Sequence, residues 1–472
     1  MPGARPFGVR PVRLGLGLAV ALLLAGVGGL VCAPFASAAH LITWTTPSRY
    51  VDPSRVTFNS PPPGVPPRPA ALRVDVLLPD GYDGQRRFPV LYLLHGHGDS
   101  YDSWVNPSRG NVLDIARGLS AIVVMPEAAT GWYTNWWDGG ARGSDGRAWE
   151  SYHLDELIPL VESRLRVLPG RANHAIVGNS MGGEGAIYYA EQRPGYFGAA
   201  GSFSGVLSIQ RPEWPTGFDT QGQSHTDVYG DPQAQSFYWT GHNPTALVEN
   251  LRDTRIFVTV GDGTPNPSSP AEVRNYFGQV AERELRMHAQ DFVAAAQGAG
   301  VDVTYQPRQG IHDWPYWRQH LMAALGWGLF KPVAEAPSSW RYSTVSQSGR
   351  AWDLRFTFDE PPGGVETFVR NGSTLTALGT GDVTIQPDGA APFTATLPFT
   401  RTLTPLPRGA AGGGPGRVGP CSARRRRSAR RPRPARRRHH RARRRGCARA
   451  KRGRRSALAI LLNSPRGRSS VG

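Results

Sequence analysis

One serine stands between two glycines at the end of a short apolar run: Gly178-Asn179-Ser180-Met181-Gly182, within HAIVGNSMGGEGAIYYA. A hydroxyl is a poor nucleophile until a neighbouring base takes its proton. The G-x-S-x-G spacing suits a strand-to-helix bend so tight that side chains two residues before and after the serine would collide, which explains glycine at both places. HAIV before the serine reads as the strand, and GGEGAIYYAEQ after it as the helix. Ser180 is therefore the candidate nucleophile.

A serine that attacks a carbonyl leaves negative charge on oxygen, and two preorganised N–H donors must meet it. The backbone of Met181, the residue after the serine, supplies one. The other is expected in a loop after an early strand, and LLHGHGDSYDSW fits, so the second donor is assigned to the His97 backbone. His95 and His97 form an H-x-H pair, the spacing of some metal sites, but the glycines are what this loop needs; neither a metal nor a cofactor is expected. The base should be a histidine beyond the last strand. Of the twelve histidines, His312 in RQGIHDWPYW lies five residues after VDVTYQP, in a short loop before a helical stretch. For the acid that orients this histidine, Asp262 in VTVGDGTP directly follows a strand, while Glu282 and Glu284 lie on the next helix. Spacing alone leans to Asp262.

Short apolar runs bounded by turn residues must carry these groups: 88–96, 120–127, 174–178, 199–205, 255–263 and 301–307. Continuous runs of this kind suit strands buried on both faces of a parallel sheet. Helical segments lie between them. Residues 150–165 place Leu154, Leu157, Ile158, Val161 and Leu165 at helical spacing, and 271–300 predicts a long helix stopped by glycine. The alternation points to an open α/β sheet over residues 70–331.

The flanks are of different kinds. Arg5, Arg10 and Arg13, the apolar stretch Leu14–Val31 and the small residues of APFASAAH have the order of a secretory signal, predicted over 1–38 with Ala39 as the mature start. A proline-rich segment follows over 39–69. Between His40 and Pro420 there is no cysteine, which excludes a disulfide, a thiolate nucleophile or a cysteine metal site there. Over 332–407, Trp352, Leu354, Phe356 and Phe358 alternate with polar residues, as do Phe393, Ala395, Leu397 and Phe399, which predicts a small antiparallel β module. Residues 408–472 hold 23 Lys and Arg and no acidic residue, so the remainder carries 31 basic against 36 acidic side chains. The net charge of +18 is thus a property of the tail. Such a run cannot bury a core and is expected to be disordered. Clustered arginine grips phosphates, yet the same letters arise from GC-rich DNA read in the wrong frame; no nucleic-acid role is assigned.

The motifs VGNSMGG, TRIFVTVGDGTPNP and HDWPYWRQHL resemble those of the antigen 85 type of mycolyltransferases and the wider secreted esterase family around them, over residues 70–331. The resemblance implies an α/β-hydrolase with a mostly parallel central sheet, to which the β module and the tail are additions. It implies Ser180 as nucleophile, His312 as base and a helix-borne glutamate as acid, which falls on Glu282 when counted back from Phe292; Asp262 becomes the alternative. His95 stands where true mycolyltransferases tend to carry an aspartate used in sugar recognition. The implied activity is a secreted or envelope-associated serine esterase or acyltransferase. Its substrate is a lipid or sugar ester, its acceptor water, trehalose or another sugar. Trp136 and Trp314 are candidate substrate contacts. The rival reading is a non-catalytic carbohydrate- or envelope-binding protein on the same fold.

Overall fold

The computed structural model describes residues 40–58, 70–138 and 142–403. The expected signal segment, most of the proline run and the arginine-rich tail lie outside the described residues.

Eight strands form the central sheet: β1 (His40–Thr46), β2 (Leu72–Leu78), β3 (Val90–Leu94), β4 (Ile122–Pro126), β5 (His174–Asn179), β6 (Ala199–Phe203), β7 (Arg255–Val260) and β8 (Val303–Pro307). Their order is β1-β2-β4-β3-β5-β6-β7-β8. From β4 to β8 every pairing is parallel, while β2 runs antiparallel to both β1 and β4. This is the α/β-hydrolase architecture. Alternate residues feed two cores, as a pleated strand requires: Tyr92 and Leu94 point into one, Leu91 and Leu93 into the other. Helices cover both faces, so β3 and β5 are buried along their whole length.

Three features differ from the sequence expectation. Neither β1 nor β2 was foreseen. The residues of β1, HLITWTT, fall inside the segment read as a proline-rich lead, yet pair with β2 from His40↔Leu78 to Thr46↔Leu72. The long helix predicted over 271–300 breaks at Asn275 into Pro270–Arg274 and Tyr276–Ala299. There the Asn275 side chain accepts the Gly278 N–H at 2.9 Å and caps the longer helix. The helix predicted over 150–165 begins at Trp149 and carries a π-helical stretch, Tyr152–Leu157.

Beyond the sheet, β9 (Ser339–Thr344), β10 (Ser348–Ala351), β11 (Leu354–Phe358), β12 (Glu366–Asn371), β13 (Thr374–Leu378), β14 (Asp382–Pro387), β15 (Phe393–Thr396) and β16 (Phe399–Thr402) make two four-stranded antiparallel sheets. Tyr342, Leu354, Phe356, Phe358 and Phe368 build their own core. The second alternating run is split between the two sheets, with Phe393 and Phe399 only half-buried. This module is tied to the larger body by specific bonds. Tyr342 Oη and Thr344 Oγ1 both donate to Gln192 Oε1 at 3.1 Å, and Asn250 exchanges two bonds with the Ser343 backbone, at 2.9 and 2.8 Å.

Candidate active site

At the carboxyl end of β5 the chain turns straight into the Met181–Gln192 helix, and Ser180 is the hinge. It sits at φ 53°, ψ −124°, a region L-residues occupy at a cost of order 1–3 kcal/mol. The surroundings hold it there. Ser180 N–H donates to Phe203 O at 2.8 Å. A Cβ on Gly178 would lie 2.3 Å from the Gly182 carbonyl oxygen, and one on Gly182 would lie 2.5 Å from that of His95. Both glycines are therefore required by backbone contact.

His312 follows β8 and brings its ring to this serine. Its Nε2 is 2.9 Å from Ser180 Oγ, and its Nδ1 is 2.9 Å from Glu282 Oε2. An ionised carboxylate can only accept, so Nδ1 carries the proton and the Nε2 lone pair faces the hydroxyl. Trp317 meets the imidazole edge-on, with ring centres 4.9 Å apart.

Glu282 is fully buried on the Tyr276–Ala299 helix. Its second oxygen accepts from Ser204 Oγ at 2.7 Å and from the Gly261 N–H. Burial pushes the carboxyl upward, but the bonds from His312, Ser204 and Gly261 outweigh it and hold the group below its ordinary value. Asp262 spends its carboxylate elsewhere, on the Thr264 N–H at 2.8 Å and the Gly310 N–H at 3.2 Å. It thereby pins the loop that leads to His312. Sequence reasoning missed Ser204, which lies just past β6 at φ 51° with its own N–H on Thr259 O. No residue type in FSG signals that role.

Met181 is the first helical residue, so its N–H is among those an α-helix leaves without an internal acceptor. The HGHG loop runs against the serine: a Cβ on Gly96 would lie 3.2 Å from Ser180 Cβ and 2.8 Å from Asn179 Nδ2. The histidines of that loop serve separate partners. His95 is buried, bonding Gly96 O through Nδ1 and accepting the Ala128 N–H at Nε2. His97 Nε2 lies 3.2 Å from Gln223 Oε1, and burial lowers its pKa. Gln223, also missed, accepts the Trp132 indole N–H at 2.6 Å and donates to Thr130 O at 2.5 Å, clamping the loop. Among the described residues no cluster of three or more His, Cys, Asp or Glu is placed to hold a metal ion.

The two tryptophans differ in setting. Trp136 lines a cavity of about 380 Å³ together with His97, Gln223, Arg147 and Asp227, although the Arg147 guanidinium covers one ring face at 4.3 Å. Trp314 is wedged between Trp104 and Trp317, at 5.0 and 5.1 Å, and bonds Asp99; it packs the wall behind the site.

Residues 69–327, more than half of the 472-residue chain, match the family model described as "Putative esterase". The chain belongs to the esterase family. Among the chain's relatives, Esterase Rv1288 of Mycobacterium tuberculosis (strain ATCC 25618 / H37Rv) is 32% identical over 239 residues, which are 48% of this chain and 49% of the relative. The diacylglycerol acyltransferase/mycolyltransferase Ag85C of Mycobacterium avium is 30% identical over 246 residues, 50% of this chain and 68% of Ag85C. The crystal structure of Mycobacterium tuberculosis MPT51 (FbpC1) is 27% identical, with a TM-score of 0.45, covering 56% of this chain and 97% of that one. The chain spans about half the length of Rv1288. Its serine, imidazole and buried carboxylate, joined in one hydrogen-bonded line, form an arrangement that can move a proton off a hydroxyl and return it to a leaving group.

Proposed function

We propose that this chain is an exported serine ester hydrolase or acyltransferase that works through an acyl-serine intermediate. One observation carries the reading: Ser180, His312 and Glu282 stand in a single line of 2.9 Å contacts on a strained, glycine-flanked bend. Ser180 Oγ attacks the ester carbonyl carbon while its proton passes to His312 Nε2. Glu282 stabilises the imidazolium, and the Met181 and His97 N–H groups donate to the oxyanion. Collapse breaks the bond to the alcohol oxygen, which leaves with the proton from His312. Water, or a sugar hydroxyl, then enters by the reverse path, releasing acid or a new ester and restoring Ser180.

The substrate class is a lipid or sugar ester. Its support is the likeness to Ag85C, named as an acyltransferase, and the polar cavity beside His97 and Trp136. The test begins with p-nitrophenyl butyrate. Wild type should hydrolyse it, and Ser180→Ala should be slower by roughly 10³- to 10⁶-fold with its fold intact. A folded but inactive wild type would instead favour a binding protein. Incubation with an acyl-trehalose donor then separates the acceptors: diacylated trehalose marks a transferase, free acid alone a hydrolase.

A further inference from the structure

We propose that the outer face at the start of the Tyr276–Ala299 helix docks on an anionic lipid bilayer. Among the described residues Tyr276 is 72% exposed, Phe277 73% and Val280 63%, and Val273 just before the break is 41% exposed. These four are half of the large exposed hydrophobic residues described. Single exposed apolar residues are ordinary, but a contiguous cluster marks an interaction site. The spacing of Tyr276, Phe277 and Val280, with Met287 further along, traces one stripe on this helix, and Val273 precedes it on Pro270–Arg274.

Charge selects the occupant. Arg274, Arg283 and Arg286 flank the stripe, and none of them pairs with a carboxylate among the described residues. The neighbouring acids are committed elsewhere. Glu272 accepts the Asn266 N–H and the Tyr316 hydroxyl, while Glu284 and Asp291 face Arg211. Arg283 Nη2 donates only to a backbone carbonyl, that of Gly263, at 3.2 Å. Aromatic and aliphatic side chains beside arginines without a carboxylate partner among the described residues are the composition of a helix lying in a membrane interface. A second copy fits poorly, because a two-fold axis through this face would bring the arginines of both copies together.

Place gives the docking a use. Gly278, between Phe277 and Val280, holds the His312 N–H through its carbonyl, and Glu282 lies one turn further on the inner side. A bilayer against the outer side would therefore meet the rim of the ester site. This consequence rests on the proposed ester chemistry; the docking itself does not.

Flotation of the full chain with vesicles of phosphatidylcholine and phosphatidylglycerol tests it, comparing wild type with Tyr276→Ser/Phe277→Ser/Val280→Ser. The arginine-rich tail is common to both proteins, so the difference reports the face. Burying these three side chains should tighten binding by well over a factor of ten, so the variant is expected to bind at least about tenfold more weakly. Its hydrolysis of soluble p-nitrophenyl butyrate should stay within about twofold. In about 1 M salt, where the Debye length is about 3 Å, wild type should retain more binding than the variant. Phe277→Ser alone supplies the comparison should the triple variant not fold. Equal flotation overturns the proposal, as does a wild-type dimer that the variant lacks. A wild type that floats but hydrolyses nothing overturns the ester reading and leaves the docking standing.

Discussion

The backbone N–H of His312 is bonded to the carbonyl of Gly278 at 2.9 Å, one turn before Glu282 on the same helix. The imidazole and the carboxylate that orients it thus hang from one rigid element. Only Ser180, across the sheet's carboxyl edge, is positioned independently. Each joint in this assembly can be loosened separately.

Glu282→Gln keeps an oxygen for Ser204 and Gly261 but presents an amide NH₂ to His312 Nδ1. The ring must then carry its proton on Nε2, and no lone pair faces Ser180. Turnover should fall by about 10³- to 10⁴-fold, as in other triads with the wrong tautomer. Asp262→Asn still accepts both of its N–H bonds through Oδ1 and should stay within about threefold of wild type. Steady-state rates with one soluble ester decide between the two acids.

Ser204→Ala removes a donor from a buried, ionised carboxylate. A bond to a charged group contributes about 1.5–3 kcal/mol, and a loss of that size is expected in urea melts. Because this bond helps hold the Glu282 pKa down, its removal should shift the acid limb of the rate profile to higher pH. Stability changes without that shift would make Ser204 a packing residue only.

Gly182→Ala would press a methyl group to 2.5 Å from His95 O and 2.7 Å from Leu94 O, both backbone atoms that cannot turn aside. We expect destabilisation of about 3 kcal/mol or more, and on the order of 10²-fold slower turnover from a displaced serine. Gly326→Ala is the control. It lies in the Trp314–Trp327 helix with nothing within 4 Å of the added Cβ, and should gain roughly 0.5–1 kcal/mol. Thermal melts of both variants measure the contrast.

Glu150 is buried where the body meets the β module, accepting from Tyr188 Oη at 2.9 Å and Ser346 Oγ at 3.2 Å. Burial pushes its carboxyl up to about 7. The folded protein therefore keeps a proton that the unfolded chain has lost. Its contribution is complete below the unfolded value and falls as pH rises toward 7, by about 1.4 kcal/mol per unit. Glu150→Gln should lack this slope. Denaturant melts of the two proteins should diverge from about pH 5 to about 7 and level off above it; curves parallel throughout would mean that the carboxyl is ionised over the whole range.

The parts of the site that could be read from residue types are those set by local backbone demands. Gly178 and Gly182 announce the bend because no other residue fits there. His312 follows from its place after the last strand. The acid did not follow from position, because which helical residue reaches the imidazole depends on how the Tyr276–Ala299 helix seats on the sheet; spacing favoured Asp262, and only the family resemblance pointed to Glu282. Ser204 and Gln223 were invisible for the same reason, their partners lying 78 and 126 residues away in the chain. In the fold, β5 and β7 stood out as apolar runs. At the sheet edge, β1 was hidden by its three threonines and by the prolines after it, and the break at Asn275 by the helical spacing on either side.

Gln192 ends the helix that Ser180 begins, and it is there that Tyr342 and Thr344 attach. A recombinant fragment trimmed to the central sheet and its helices, ending near residue 331, would strip two hydroxyls from a buried amide and uncover Asn250 and Glu150 as well. Such a fragment should express poorly or aggregate, so anyone preparing a minimal enzyme would do better to keep the chain through Leu403.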